Sequence, residues 1–271
     1  MRCIFCRSDS SLSRSVEHII PYSLGNTKHV LRAGIVCDAC NNYFSREVER
    51  PFLEAPAIKQ LRFYQGLESR KGRIPMIRCF MSPGFAVDVM RESTDSGLSI
   101  GVPTEAVPHF LSAKTGSLYI PLSGKPPVEN VISRFVAKVA LEAMANRISY
   151  SQEGLDYICD EKQLDPLRDH ARRGKLRGWP VHSRTIYDPE STQVEEGVDL
   201  GQVLHEFDFL VTSTNEWYFV LAIFGLELTI NMGGPELEGY ERWLSENNGA
   251  SPLYSDRNAG SPMPSRRLDI K

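Results

Sequence analysis

Two Cys-x2-Cys steps near the start of this 271-residue chain, Cys3/Cys6 and Cys37/Cys40, constrain it more than any other feature. Two such knuckles bring four thiolates together, and four thiolates make a tetrahedral Zn2+ site. Four Cys ligands fill the coordination shell and leave no open position for water or substrate. A zinc ion held there is structural. Chemistry then falls to the residues between and just after the knuckles: Glu17, His18 and Asn41. A carboxylate and an amide oxygen suit a hard divalent cation. A neutral imidazole can take a proton from water near pH 7.

Read in order, the stretch is CIFC, a Ser-rich link, EHIIPYSLGN and GIVCDACNNYF. Cys-x2-Cys, then an acidic residue with His-Ile-x-Pro, then Cys-x2-Cys-Asn, resembles an HNH endonuclease of the zinc-containing ββα-metal kind. The likeness covers about the first 50 residues. It implies a two-stranded hairpin packed on a helix. It implies that His18 is the base that activates water against a phosphodiester. It also implies that Glu17 and Asn41 hold one Mg2+ or Mn2+ ion. The family's middle Asn, which braces the loop through hydrogen bonds, would fall at Arg32. That departure leaves the loop's support open, with Asn26 as one substitute and Asn42 as another brace or a helix cap.

Charge is split along the chain. Residues 1–80 hold thirteen Lys and Arg against seven Asp and Glu, while residues 81–271 hold eighteen against twenty-seven. A basic first part suits the phosphate backbone of either nucleic acid; DNA is the expected partner from the resemblance to an endonuclease. Arg46, Arg50, Lys59 and Arg62, on two expected helices, are the candidate phosphate contacts. The acidic remainder gives a different expectation, a docking surface for a regulatory protein partner of a defence effector. A third reading is a zinc-stabilised nucleic-acid-binding module whose catalysis has lapsed, with Arg32 as its support. A single module cuts one strand, so double-strand cleavage would call for a homodimer or two nicks.

No basic and apolar signal-peptide pattern occurs, and the longest apolar run, Trp217 to Leu226, is too short to span a bilayer. Paired zinc-type cysteines point to a reducing, cytoplasmic setting with no membrane partner. Cys79 and Cys159 read as core or surface thiols.

The expected fold class is α+β. A small zinc module over residues 1–66 precedes a linker over 67–80. An α+β accessory domain covers 81–246, and a loosely ordered tail covers 247–271. Within the module, Val16 to Ile20 reads as the strand carrying Glu17 and His18, and Tyr22 to Arg32 as a loop. Gly34 to Val36 reads as the second strand. A helix then starts near Asn41 and runs through Phe44, Val48 and Phe52. Later, apolar residues from Val128 to Met144 recur at helical spacing, with Glu129, Arg134, Lys138, Glu142 and Asn146 on the opposite face. Residues 203–232 read as an antiparallel meander around a buried strand from Trp217 to Phe224, with Leu226 to Met232 half-exposed.

Overall fold

The structure, a computed structural model, describes residues 1–91, 97–121, 124–174, 178–195 and 198–254. It is a mixture of helices and antiparallel sheets, as expected. The chain forms two compact units that do not follow chain order. The first takes Met1–Ile20, Asn26–Val48 and the chain from Val128 onward; the second takes Pro21–Gly25 and Glu49–Pro127. The segments drawn from the sequence differ from these units. The expected accessory domain is divided between them, and its greater part joins the cysteine stretch.

The first unit opens with β1 (Glu17–His18) and β2 (Val30–Leu31), paired antiparallel with Glu17 opposite Leu31 and His18 opposite Val30. The second strand thus falls inside the expected loop, and the expected strand from Gly34 to Val36 is a turn. The knuckles explain the difference. The Ile4 amide donates to the Ile35 carbonyl at 3.0 Å, and Ser10 Oγ donates to Gly34 O at 2.6 Å. Gly34 has φ +92°, and a Cβ there would come within 3.2 Å of Ser10 O. Ile35 and Val36 are apolar because they are buried beneath the knuckles, not because they pair in a sheet. Helix α1 (Asp38–Phe44) follows, and Ser45–Glu49 widens into a π turn. The expected continuous helix is interrupted there. Pro51 lies just beyond, and its ring would clash with the carbonyl four residues back, which a widened turn relieves.

The second unit holds α2 (Arg50–Leu53), α3 (Pro56–Tyr64), β3 (Ile77–Met81), β4 (Phe85–Arg91), β5 (Leu98–Gly101), α4 (Val107–Ser112) and β6 (Leu118–Tyr119). Its antiparallel sheet runs β5-β4-β3-β6. β3 lies within the expected linker. Ile77 and Cys79 point into a core with Phe63, Val87 and Val89, while Arg78 and Phe80 face outward.

The first unit resumes with α5 (Glu129–Ile148), α6 (Gln152–Asp160) and α7 (Asp165–Arg173). Strands β7 (His182–Thr185), β8 (Thr192–Glu195) and β9 (Val198–Gln202) follow. Next come β10 (His205–Val211), β11 (Trp217–Ile223) and β12 (Leu226–Asn231), and last α8 (Glu238–Glu246). The expected meander is present, in the order β10-β11-β12-β7, with β11 buried from Tyr218 on. β12 is not half-exposed: Glu227, Thr229 and Asn231 are buried. Helix α8, unexpected from the sequence, brings Tyr240 over them, and Tyr240 donates to Glu227 at 2.7 Å. Ser251 also donates to Glu227, and Leu253 is buried, so the start of the expected loose tail is held. The rest of that tail, 255–271, lies outside the described residues.

Helix α5 packs against α6, α7, β2 and β12. With neighbours on several sides it has no broad solvent face, and Lys138 and Glu142 are both fully buried. The expected polar face is therefore corrected at these two positions. Among the described residues, no helix is long and apolar enough to cross a membrane.

Candidate active site and metal centre

Cys3, Cys6, Cys37 and Cys40 come together with their sulfur atoms all within 4.8 Å of one another. Cys6 and Cys37 Sγ are 3.6 Å apart. That is close to the separation of two sulfurs about 2.3 Å from a shared tetrahedral ion. All six cysteines are free thiols, so the four are available as ligands. Backbone amides support them: Cys37 N donates to Cys3 Sγ at 3.3 Å, and Cys40 N to Cys37 Sγ at 3.4 Å. The second bond is also the N-cap of α1, so one cysteine starts the helix and faces the metal position. The Cys3 thiol is drawn down to about 4 by the hydrogen bond from Cys40. Cys40 is pushed up because it donates that bond and is buried. The donor set fits Zn2+.

The knuckles do not stand alone. Arg2 bonds Asp156 at 2.9 Å and Asp160 at 2.7 Å on α6, and holds both carboxyls below their usual range. Arg7 Nε donates to Cys159 O at 2.6 Å, and its guanidinium pairs with Asp165. Arg168 on α7 reaches Ile4 O at 2.8 Å. Cys159, buried, lies beneath the first knuckle. The four-cysteine module is therefore built with α6 and α7 of the same unit.

Glu17 and His18 are adjacent on β1, so their side chains leave opposite sides of the strand. Glu17 is 5% exposed. Its Oε1 lies 2.7 Å from Lys138 Nζ, and the same ammonium meets Glu142 at 3.0 Å and the His18 carbonyl at 3.2 Å. Sequence reasoning missed Lys138 and Glu142. Helical periodicity alone places them on a polar face, and only the surroundings of α5 bury them.

The helix starts at Asp38, earlier than expected, so Asn41 is the fourth residue of α1; its Nδ2 donates to the carbonyl of Val16, the residue before Glu17, at 3.4 Å. Asn42 is exposed. Arg32 is exposed as well, and Asn26 performs the bracing that the resemblance assigns to its position. Asn26 is fully buried. Its Nδ2 donates to Ile20 O at 2.7 Å and His29 O at 2.9 Å; its Oδ1 accepts from Lys28 N at 3.0 Å and His29 N at 2.9 Å. This side-chain amide uses both donors and accepts twice, tying the end of β1 to the start of β2. The lapsed-catalysis reading thereby loses its support at Arg32.

The expected phosphate contacts divide. In the first unit Arg46 is exposed with Glu47 at 3.8 Å. In the second unit Arg50 is exposed, and Lys59 is half-buried, 3.9 Å from Glu54. Arg62, also a candidate phosphate contact, is buried instead. It is 5% exposed, and its Nε donates to Ser23 O at 2.9 Å, satisfying a short helical turn at Tyr22–Leu24.

Glu17 and Asn41 offer hard oxygen donors of the kind Mg2+ and Mn2+ take. A carboxylate can accept from an ammonium and bind a cation at once, and ligating carboxylates usually have such outer partners. The donor set fits a hard divalent ion.

Residues 3–56 match the family model of HNH endonucleases. That match spans the four cysteines, the β1–β2 hairpin and α1, and defines this part of the chain as similar to a nuclease module. No curated protein and no solved structure matches the chain.

Proposed function

We propose that this chain is an endonuclease that hydrolyses phosphodiester bonds in nucleic acid, DNA first, with the first unit as its reactive part. One observation carries the reading. An acidic residue followed by histidine lies on a two-stranded hairpin, and an Asn on the next helix reaches back to Val16, the residue before that strand, within a four-cysteine frame.

In this reading His18 takes the proton from the attacking water. Asn26 and the backbone of β1 hold the imidazole's strand in place. Glu17 and Asn41 would hold a divalent ion, Mg2+ or Mn2+. Such an ion supplies positive charge for the developing pentacovalent phosphate and the leaving oxygen. The four cysteines hold structural Zn2+ and take no part in the chemistry. Arg46 contributes charge for the phosphate backbone.

The test is incubation with supercoiled plasmid and a panel of divalent metals, wild type against His18→Ala. The expected result is metal-dependent nicking by wild type. His18→Ala should keep zinc and its fold yet lose activity by about two or more powers of ten, the range for a lost general base. A variant that nicks at the wild-type rate would place the base elsewhere.

A further inference from the structure

We infer that Lys138 is the positioning residue of the reactive strand, and that Glu142 sets the charge of the site behind it. The inference deepens the reading of Glu17 and His18 given above and rests on it.

Lys138 stands in the middle of α5, 120 residues beyond His18, and is completely buried. A buried ammonium is costly unless it is paired and hydrogen-bonded. Lys138 meets the Glu17 carboxylate at 2.7 Å, the Glu142 carboxylate at 3.0 Å and the His18 carbonyl at 3.2 Å. The ammonium has three donors, and the Glu17 carboxylate and the His18 carbonyl are among the acceptors it meets.

Two features go beyond neutralisation. First, Lys138 grips both members of the reactive pair, Glu17 by its side chain and His18 by its backbone. One cation thereby ties the carboxylate's position to that of the peptide unit carrying the imidazole. The ring itself, on the other side of the strand, keeps its reactive role. Second, a further carboxylate meets the same ammonium. Glu142 follows Lys138 by one helical turn and is also fully buried. It takes up part of the ammonium's charge, so Glu17 keeps more of its own toward a hard cation. Outer-shell partners of this kind orient ligands and tune metal affinity.

The experiment uses the full-length, zinc-loaded chain. Lys138→Met with Glu142→Gln removes one positive and one negative charge together, leaving the net charge unchanged while removing the grip; Glu142→Gln alone keeps the grip and removes one negative charge. Each is checked for zinc content and cooperative melting. Mn2+ binding is then read by electron paramagnetic resonance, and nicking by kcat and KM. The double variant should bind Mn2+ about 10- to 100-fold more weakly and lose a similar factor in kcat with KM for DNA unchanged, the range for lost outer-shell partners. Glu142→Gln alone should weaken Mn2+ binding about tenfold at the lower end of that range. If the double variant does not fold, the single variant carries the test. Folded variants with wild-type Mn2+ affinity and kcat would overturn the inference while leaving the nuclease reading intact. Mn2+ binding that depends on Lys138 and Glu142 in a wild-type protein unable to nick would support the inference and remove the nuclease reading. A wild-type protein that binds no Mn2+ beyond its zinc site would overturn the inference.

Discussion

The cysteine cluster and the Lys138 centre are both buried, both polar and both part of the first unit, yet they are stabilised in opposite ways. The cluster gathers four sulfurs within 4.8 Å and supplies no positive charge of its own. It calls for an ion, and the ion's binding energy becomes folding energy. The Lys138 centre supplies its own cation and two carboxylates, all of them at most 6% exposed. Its attraction is largely offset by the cost of removing three charges from water, so it contributes orientation more than stability. One site holds the frame together, and the other aims the residues mounted on it.

The largest expected effect breaks the frame. Cys37→Ser removes a ligand and also the sulfur that caps α1. Zinc should be lost, and the cooperative unfolding transition of the first unit should disappear, since structural zinc in small sites contributes on the order of 10 kcal/mol. Metal analysis and thermal melting check this. Unchanged melting, or a wild-type protein with no zinc, would erase the difference between the two centres. α6 and α7 sharpen the point, because Arg2 and Arg7 anchor the first knuckle to them. Those pairs are half-exposed and screened by solvent, too weak to replace the metal.

Next in size is the loss of the Lys138 ammonium alone. Lys138→Met leaves Glu17 and Glu142 buried without their cation. Breaking one partner of a buried pair costs about 3–5 kcal/mol. Zinc content should nonetheless be retained, because the thiol ligands are untouched. Chemical denaturation with parallel zinc analysis separates the two centres. Simultaneous loss of zinc and stability would mean that they act as one.

What could be read from the sequence follows from how local each constraint is. Metal ligands must sit at short fixed spacings, so Cys3, Cys6, Cys37 and Cys40 announced themselves, and Glu17-His18 and Asn41 followed from the intervals between them. Lys138 carried no such signal. A lysine and a glutamate one turn apart on an amphipathic helix look like a solvated pair. Their burial depends on β2, β12, α6 and α7 closing around α5, which no local window contains. The same limit misplaced the second strand. Ile35 and Val36 look like strand residues, but the first knuckle occupies their backbone. β3 was hidden differently: its alternation of Ile77 and Cys79 with Arg78 and Phe80 was present, behind a Gly- and charge-rich approach. The split in charge also changes meaning. Arg2 and Arg7 find acidic partners on α6 and α7, so part of the imbalance is answered inside one unit.

A smaller effect concerns the loop that joins the two strands. Asn26→Ala would strand two amides and the Ile20 carbonyl around the Asn26 cavity, all at least part-buried, while His29 O keeps its bond from Ile19 N. The expected cost is about 2–4 kcal/mol, with water recovering some of the lost bonds. Zinc should again be retained, and nicking should fall because β1 carries His18. If Asn26→Ala melts as wild type does, the brace is supplied elsewhere, and Arg32→Asn becomes the informative variant.

The smallest effect, and the finest test of how the frame aims the site, compares Asn41 with Asn42. Cys40 is fixed by its place in the cluster, and α1 is capped by Cys37, so the rotation of the helix is set by the metal position itself. Asn41 is directed at Val16 O, on the approach to Glu17, while Asn42, turned by ~100° about the helix axis, is exposed. Asn41→Ala should therefore raise the Mg2+ or Mn2+ midpoint for nicking and leave melting within about 1 kcal/mol, because its one bond is long and partly solvated. Asn42→Ala should leave the metal midpoint where it is, and as an exposed helical change should move stability by less than about 0.5 kcal/mol. Metal titrations of the two variants decide between them. A midpoint that moves with Asn42 and not with Asn41 would mean that the cluster orients α1 one residue differently, and that the link from zinc frame to reactive strand runs through another side chain.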